Sequence, residues 1–190
     1  MSREGIILAA GLSSRAKTFK MLLPLNGKSV IENTIDNMLQ FSQRVIVVGG
    51  YKIELLQPII QKYRNVELIF NENYQEGMFS SVKCGIKAVR EDEFFFTPGD
   101  YPLISKDVYS KILSKTGDII IPTYKGRKGH PILIKSKFIK EILQEGKYET
   151  LRDFINIQNP KFIEVNHKEI LMDIDTIEDY KKALKNLGED

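Results

Sequence analysis

Cysteine is almost missing from the chain: Cys84 stands alone in 190 residues. An intramolecular disulfide framework is therefore excluded, which suits a reducing compartment. Only two histidines are present, His130 and His167. No Cys/His cluster has the spacing of a zinc site. Long apolar runs are missing as well. No segment approaches the ~18 residues of a membrane span, and no apolar stretch followed by a cleavage site opens the chain. Charge of either sign is nearly balanced, 28 Lys and Arg against 25 Asp and Glu, and the cations are scattered. No basic block marks a nucleic-acid partner. What is left, 42% hydrophobic and 28% charged residues, is an ordinary globular composition. The length suits one domain, residues 1–190. The expectation is a soluble cytoplasmic protein without a membrane or nucleic-acid partner. Cys84, between apolar neighbours in a helical pattern, is expected in the core.

The chain is organised around residues 5–25. Ile6 to Ala10 is an apolar run that fits a short buried strand. Gly11 opens a loop with two hydroxyls, Ser13 and Ser14, and three cations, Arg15, Lys17 and Lys20. Apolar Met21 to Leu25 leads on toward a helix. A small residue at a strand end lets a ligand approach the backbone. Backbone N–H groups and nearby cations then form an anion site. The stretch reads as a phosphate cradle or as an ordinary strand-to-helix loop. Two common phosphate motifs are excluded. Gly27-Lys28-Ser29 would end a P-loop, but that pattern needs Gly where Leu22 stands; G-x-G-x-x-G fails because Leu12 and Ser13 follow Gly11.

Strand and helix patterns alternate for about two-thirds of the length. Residues 28–41 carry a helical face, and Arg44 to Val48 is a β-branched strand stopped by Gly49-Gly50. Ile53 to Tyr63 forms the next helical face and Val66 to Phe70 the third strand. Residues 71–78 are a polar loop, and Ser80 and Ser81 precede a helix through Val89. Phe94 to Phe96 is the fourth strand, 105–115 a helix and Asp118 to Pro122 the fifth strand. Beyond them, His130 to Ile134 reads as a hairpin partner or edge strand. Residues 136–145 and 150–156 look helical, Phe162 to Val165 and Ile170 to Ile174 extended, and Thr176 to Leu187 closes the chain as a helix. The rhythm argues for an α/β sandwich with a mainly parallel sheet. Ligands of such sheets sit beyond the carboxyl ends of the strands, which points to the loops at 11–20 and 97–102.

Thr97-Pro98-Gly99-Asp100-Tyr101-Pro102 is a rigid turn with one carboxylate, able to cap a turn or to hold Mg²⁺ with substrate phosphates. Asp173 and Asp175 lie two apart, so an extended segment would turn both to one side. The competing reading makes Asp175 or Thr176 a helix cap, with Glu178 or Asp179 completing a capping box. Ser80 and Ser81 read as helix caps.

Leu8-Ala9-Ala10-Gly11-x-Ser13-Ser14-Arg15, with Lys20 behind it, resembles the signature of the nucleotidyltransferases that load molybdopterin with a nucleotide, most of all the molybdenum cofactor cytidylyltransferase type. Sugar-phosphate and cytidylyl nucleotidyltransferases are similar more broadly. The family usually has a bulky apolar residue and Gly after the arginine; here Ala16 and Lys17 add a cation. Four more segments fall in the family's order: Gly77-Met78-Phe79-Ser80-Ser81, Gly99-Asp100-Tyr101-Pro102, Gly129-His130-Pro131, and Asp173 to Asp179 with Ile177 in place of the usual Pro.

The resemblance implies a three-layer, Rossmann-like nucleotidyltransferase fold. It implies Mg²⁺-dependent transfer of CMP from CTP to molybdopterin or the molybdenum cofactor, with release of pyrophosphate. By the same likeness Lys20 and Arg15 neutralise charge on the triphosphate. Leu8, Ala9, Ala10, Gly11, Ser13, Ser14, Gly77, Ser80 and Ser81 join them around the nucleotide. Asp100 and Asp175 hold Mg²⁺, while His130, Pro131 and Asp173 face the acceptor. Guanylyl relatives usually carry Gly where Ala10 stands, and a methyl group limits how closely a purine sits, so CTP is favoured. A receiving molybdoenzyme or its chaperone is an implied partner. Three alternatives stay open: a sugar phosphate or polyol phosphate acceptor, GTP as donor, and a non-catalytic nucleotide-binding protein that delivers a cofactor.

Overall fold

Ile6, Ile7, Leu8 and Ala9 are apolar without alternation because their strand is covered on both faces. The computed structural model describes residues 2–11 and 19–188. In chain order its strands are β1 (Arg3–Ala9), β2 (Pro24–Leu25), β3 (Lys28–Ser29), β4 (Arg44–Gly49), β5 (Val66–Phe70), β6 (Glu93–Pro98), β7 (Ile119–Tyr124), β8 (Arg127–Lys128), β9 (Ile132–Lys135) and β10 (Lys161–Glu164). The helices are α1 (Val30–Leu39), α2 (Gln57–Ile60), α3 (Met78–Lys87), α4 (Lys106–Ser114), α5 (Ile139–Ile142), α6 (Leu151–Ile157) and α7 (Ile177–Leu187).

The main sheet runs β10-β7-β9-β6-β1-β4-β5, with β8 paired to the end of β7. β1 is parallel to β4 and β6, β4 to β5, and β7 to β10. Ile7, Val45, Val47 and Phe95 face one side, against Ile31, Ile35 and Met38 of α1 and Val108, Tyr109 and Ile112 of α4. Ile6, Ile46, Val48 and Phe94 face the other, against Val82 and Ile86 of α3, Ile142 of α5, and Phe154 of α6. This is the expected three-layer α/β sandwich of Rossmann-like type. Each fully buried Ile or Phe contributes about 1.5–3 kcal/mol of transfer free energy.

The structure corrects several local expectations. Of the two readings of the strand after Pro131, antiparallel partner of the fifth strand holds and edge does not: β9 lies inside the sheet, antiparallel to both β7 and β6. The edges are β5 and β10. Ile170 to Ile174, expected to be extended, begins instead in a 3₁₀ turn over residues 168–171. Met21 to Leu25 does not lead straight into a helix. A 3₁₀ turn at Lys20–Leu22 enters a β2–β3 hairpin instead, closed by Asn26 (φ 52°) and Gly27 (φ 70°). Positive φ at both central residues is the hairpin turn that Asn-Gly favours. Gly27-Lys28-Ser29 is therefore turn, strand and cap, with Ser29 capping α1 in a box with Glu32. Cys84 is only half-buried and packs on the rim of the core. Among the described residues no helix is long and apolar enough to cross a membrane.

Helix α7 settles the competition at the chain's end. Thr176 is its cap: its hydroxyl accepts from Asp179 N at 3.1 Å, and Asp179 Oδ2 accepts from Thr176 N at 3.1 Å. Asp175 is thereby left out of the capping box. Thr176→Ala should lower stability by about 1 kcal/mol, read as a lower urea midpoint at unchanged slope. An unchanged midpoint would deny the cap its weight.

Candidate active site

β1 leads to β4 on one side, and after β5 the chain crosses to β6 on the other side of β1. The carboxyl ends of β1 and β6 therefore flank the point where the topology reverses, the usual ligand crevice of open α/β sheets. The turn after β6 is tied down there. Gly99 N donates to Leu8 O at 2.8 Å. Thr34 Oγ1 of α1 donates to Gly99 O at 2.9 Å, and Asn37 Nδ2 to Pro102 O at 3.0 Å. A Cβ on Gly99 would lie 3.0 Å from both Leu8 O and Ile31 Cδ1, so a side chain there would crowd both. Asp100 thus stands on backbone fixed from β1 and α1 together.

Lys20 reaches into the same place from the turn after the β1 loop. Its Nζ lies 2.5 Å from Asp100 Oδ2 and 2.8 Å from Asp175 Oδ1. Burial disfavours its charge, but the two carboxylates outweigh burial and its pKa is raised. Burial pushes the Asp100 carboxyl up, aided by the charge of Asp173 and opposed by Lys20. One oxygen each of Asp100, Asp173 and Asp175 lies within 4.8 Å of the other two. Asp100 Oδ1 is buried without a hydrogen-bond partner, an arrangement a bound cation would satisfy. Three hard oxygen donors, one orphaned, fit a divalent cation such as Mg²⁺.

The late carboxylates arrive on a strap, residues 168–175. Ile174, between them, is 2% exposed, and its N–H donates to Asp100 O at 2.9 Å. Asp173 and Asp175 thus reach Asp100 together, as their two-residue spacing requires, although their segment is no strand.

Other expected site residues are placed differently. Leu8, Ala9 and Ala10 are buried, so they can offer a ligand only backbone, while Gly11 at the strand's end is exposed. Gly77, at φ 100°, takes the cap position of α3. Ser80 and Ser81 lie inside that helix rather than before it, and neither caps it. Their hydroxyls accept from Asn71 Nδ2 at 2.8 and 2.9 Å. Pro131 is buried. The His130 ring lies 4.9 Å from Tyr101 and 6.0 Å from Phe96, between centroids. Its Nδ1 is sealed from solvent without a partner, although the residue as a whole keeps some exposure. Ser13, Ser14 and Arg15 lie outside the described residues.

Sequence reasoning missed two residues that hold the expected site residues in place. Asn71, 5% exposed, ties the end of β5 to the start of α3 and also accepts from Asn73 N at 3.1 Å. An asparagine directly after an apolar strand was the available signal. Tyr101 packs on His130, and its phenol pKa is raised by burial and then by Asp173, Asp100 and Asp175. Its place between Asp100 and Pro102 concealed it as mere turn.

Known proteins resemble this chain along most of its length. A model of the MobA-like NTP transferase domain matches residues 5–162. The chain is 35% identical over 185 residues to the molybdenum cofactor cytidylyltransferase of Escherichia coli, covering 97% of this chain and 96% of that protein. A probable molybdenum cofactor guanylyltransferase of Bacillus cereus is 27% identical, with 97% and 96% covered. The structure of a nucleotidyl transferase from Methanothermobacter thermautotroptrophicus superposes with a TM-score of 0.85 at 21% identity, over 97% of each chain. A domain model over most of the chain, and 35% identity along nearly all of it, are kinship beyond shared fold: this chain belongs to the MobA-like NTP transferase family and is a nucleotidyltransferase.

Proposed function

We propose that the chain transfers CMP from CTP to molybdopterin or its molybdenum-bound form, releasing pyrophosphate, with Mg²⁺ as the metal. The observation that carries the reaction is the Lys20 ammonium set between Asp100 and Asp175 at the end of β1. An acceptor phosphate oxygen bonds to the α-phosphorus while the bond from that phosphorus to the bridging oxygen breaks. Pyrophosphate leaves with the electron pair. An acceptor monoester is already anionic near neutral pH, so no side-chain nucleophile is required. Phosphoryl chemistry of this kind depends on positioning and charge neutralisation. A divalent cation held by Asp100, Asp173 and Asp175 supplies charge neutralisation at phosphate oxygens. Lys20 follows the charge developing at the α-phosphate, and Arg15 adds to the triphosphate's neutralisation. The rigid Gly99–Asp100 backbone holds one carboxylate in place without reorganisation.

Three points support the donor and the acceptor. Ala10 stands where guanylyl relatives usually carry Gly. The relative at 35% identity is named a cytidylyltransferase, the one at 27% a probable guanylyltransferase. The resemblance also extends through all five motifs, and with it the reading of a receiving molybdoenzyme or its chaperone in the cytoplasm. Pyrophosphate release should be measured with Mg²⁺ and molybdopterin, comparing CTP, GTP, ATP and UTP. Release with CTP at least about tenfold above the others is expected. Release favouring GTP would keep the reaction and overturn the base assignment. Release only with sugar phosphates or polyol phosphates would overturn the acceptor. No release from protein that binds a triphosphate would favour the delivery role.

A further inference from the structure

His130 and Pro131 are expected on the acceptor side, yet the backbone N–H groups of Gly129 and His130 are engaged elsewhere. Gly129 is pinned in the sheet: its N–H donates to Pro122 O of β7 at 2.9 Å. The next N–H, of His130, donates to Ile170 O of the strap at 3.0 Å. Four residues on, Ile174 N donates to Asp100 O at 2.9 Å. The strap is thus clamped at both ends, with Asp173 just before the second clamp and Asp175 just after it. Ile170 itself is fully buried and anchors the near end.

The near clamp leaves no room for a side chain. A Cβ on Gly129 would sit 2.5 Å from Ile170 O and 2.6 Å from Ile170 Cγ1. Cβ atoms do not approach other atoms closer than 3.0 Å, so clearing the carbonyl needs a shift of about 0.5 Å, from 2.5 to 3.0 Å. Gly129 is held in the sheet, so the strap must move. Metal–ligand distances tolerate only about 0.2 Å. A shift too small to unfold the domain is therefore large enough to misplace a carboxylate.

We infer that Gly129 is a positioning residue for the acidic cluster: its missing side chain and the His130 N–H seat the strap that brings Asp173 and Asp175 to Asp100. The inference rests on the reading of that cluster as a divalent-cation site. Residues that orient metal ligands typically change affinity 10–100-fold when altered. The effect should appear in metal binding itself, not only in turnover.

The test is Mn²⁺ binding to the whole protein without nucleotide, followed by electron paramagnetic resonance. Gly129→Ala should bind Mn²⁺ about 10–100-fold more weakly than wild type. The half-saturating Mg²⁺ for pyrophosphate release should rise by the same factor, with kcat recovering at saturating Mg²⁺. Circular dichroism checks that the variant is folded. Ile170→Ala keeps both clamping hydrogen bonds and trims the side chain seated on Gly129; it should weaken Mn²⁺ in the same direction, and it decides the matter should Gly129→Ala fail to fold. A folded Gly129→Ala, or in its place Ile170→Ala, with Mn²⁺ affinity within about twofold of wild type would overturn the inference while leaving the metal site standing. Wild type that binds no Mn²⁺ would overturn the metal reading, and the inference with it.

Discussion

Lys20→Met is expected to lower turnover by about 10²–10³-fold, the loss typical when one preorganised charge donor is removed from a transition state. The same change should destabilise the metal-free protein. Lys20 faces Asp100 at 2.5 Å and Asp175 at 2.8 Å, and those side chains keep only 12% and 34% exposure. Removing the ammonium leaves three carboxylates within 4.8 Å of one another without that cation. Stranding a fully buried partner costs about 3–5 kcal/mol. This site is open on the Asp175 side, so about 1–3 kcal/mol is expected after solvent screening. Loss of Lys20 thus leaves the same fold, less stable in chelator. Urea unfolding in EDTA and in excess Mg²⁺ separates the two effects. The stability deficit should shrink with Mg²⁺, whereas turnover stays low. Wild-type turnover would remove Lys20 from catalysis; equal stability in EDTA would mean that the ion pairs add nothing to the fold.

The fold was legible where burial is two-sided. Continuous runs such as Val45 to Val48 and Phe94 to Phe96 admit few readings, and their alternation with helical faces gives the sandwich. It was not legible where geometry depends on residues distant in sequence. β9 reads as a hairpin partner of β7 or an edge because its link to β7 is short; it does pair with β7, but its second pairing, with Phe94 to Phe96, inserts it between β7 and β6. Within the strap, Ile170 to Ile174 reads as strand because Ile170, Leu171 and Ile174 are apolar. Its actual form is set by clamps to His130 and Asp100 that no local pattern announces. Asn26-Gly27 was the opposite case, a legible turn signal overlooked in favour of the lysine and serine that follow it.

The site divides in the same way. Asp100, Asp173 and Asp175 stand out as carboxylates at strand ends or two apart, and they meet as their motifs imply. Ser80 and Ser81 were visible as hydroxyls, but not their engagement by Asn71, because a hydrogen bond across nine or ten residues leaves no spacing signature. One segment held two functions at once. Thr176 caps α7 while Asp175 turns to Lys20, so the rival readings of that stretch were answers for neighbouring residues.

His130 offers a second large effect, on stability against pH. Burial pushes its pKa down from 6.5 to about 4, against a hydrogen bond to the Phe96 backbone that favours the proton. The imidazole is therefore neutral in the fold near pH 7. As pH falls below 6.5 the unfolded chain takes up the proton first, so this contribution is present in full above 6.5 and is lost as pH falls toward 4. The drop from 6.5 to about 4 corresponds to ~3 kcal/mol, and the residue's partial exposure brings the expectation to about 2–3 kcal/mol. Carboxylates titrate in the same range, so the comparison needs His130→Phe, whose ring retains the packing between Tyr101 and Phe96. Between pH 7 and 4 wild type should lose about 2–3 kcal/mol more than the variant in urea unfolding. Parallel pH curves would mean that the imidazole is solvated when folded. The low-pH loss would then belong to the carboxylates alone.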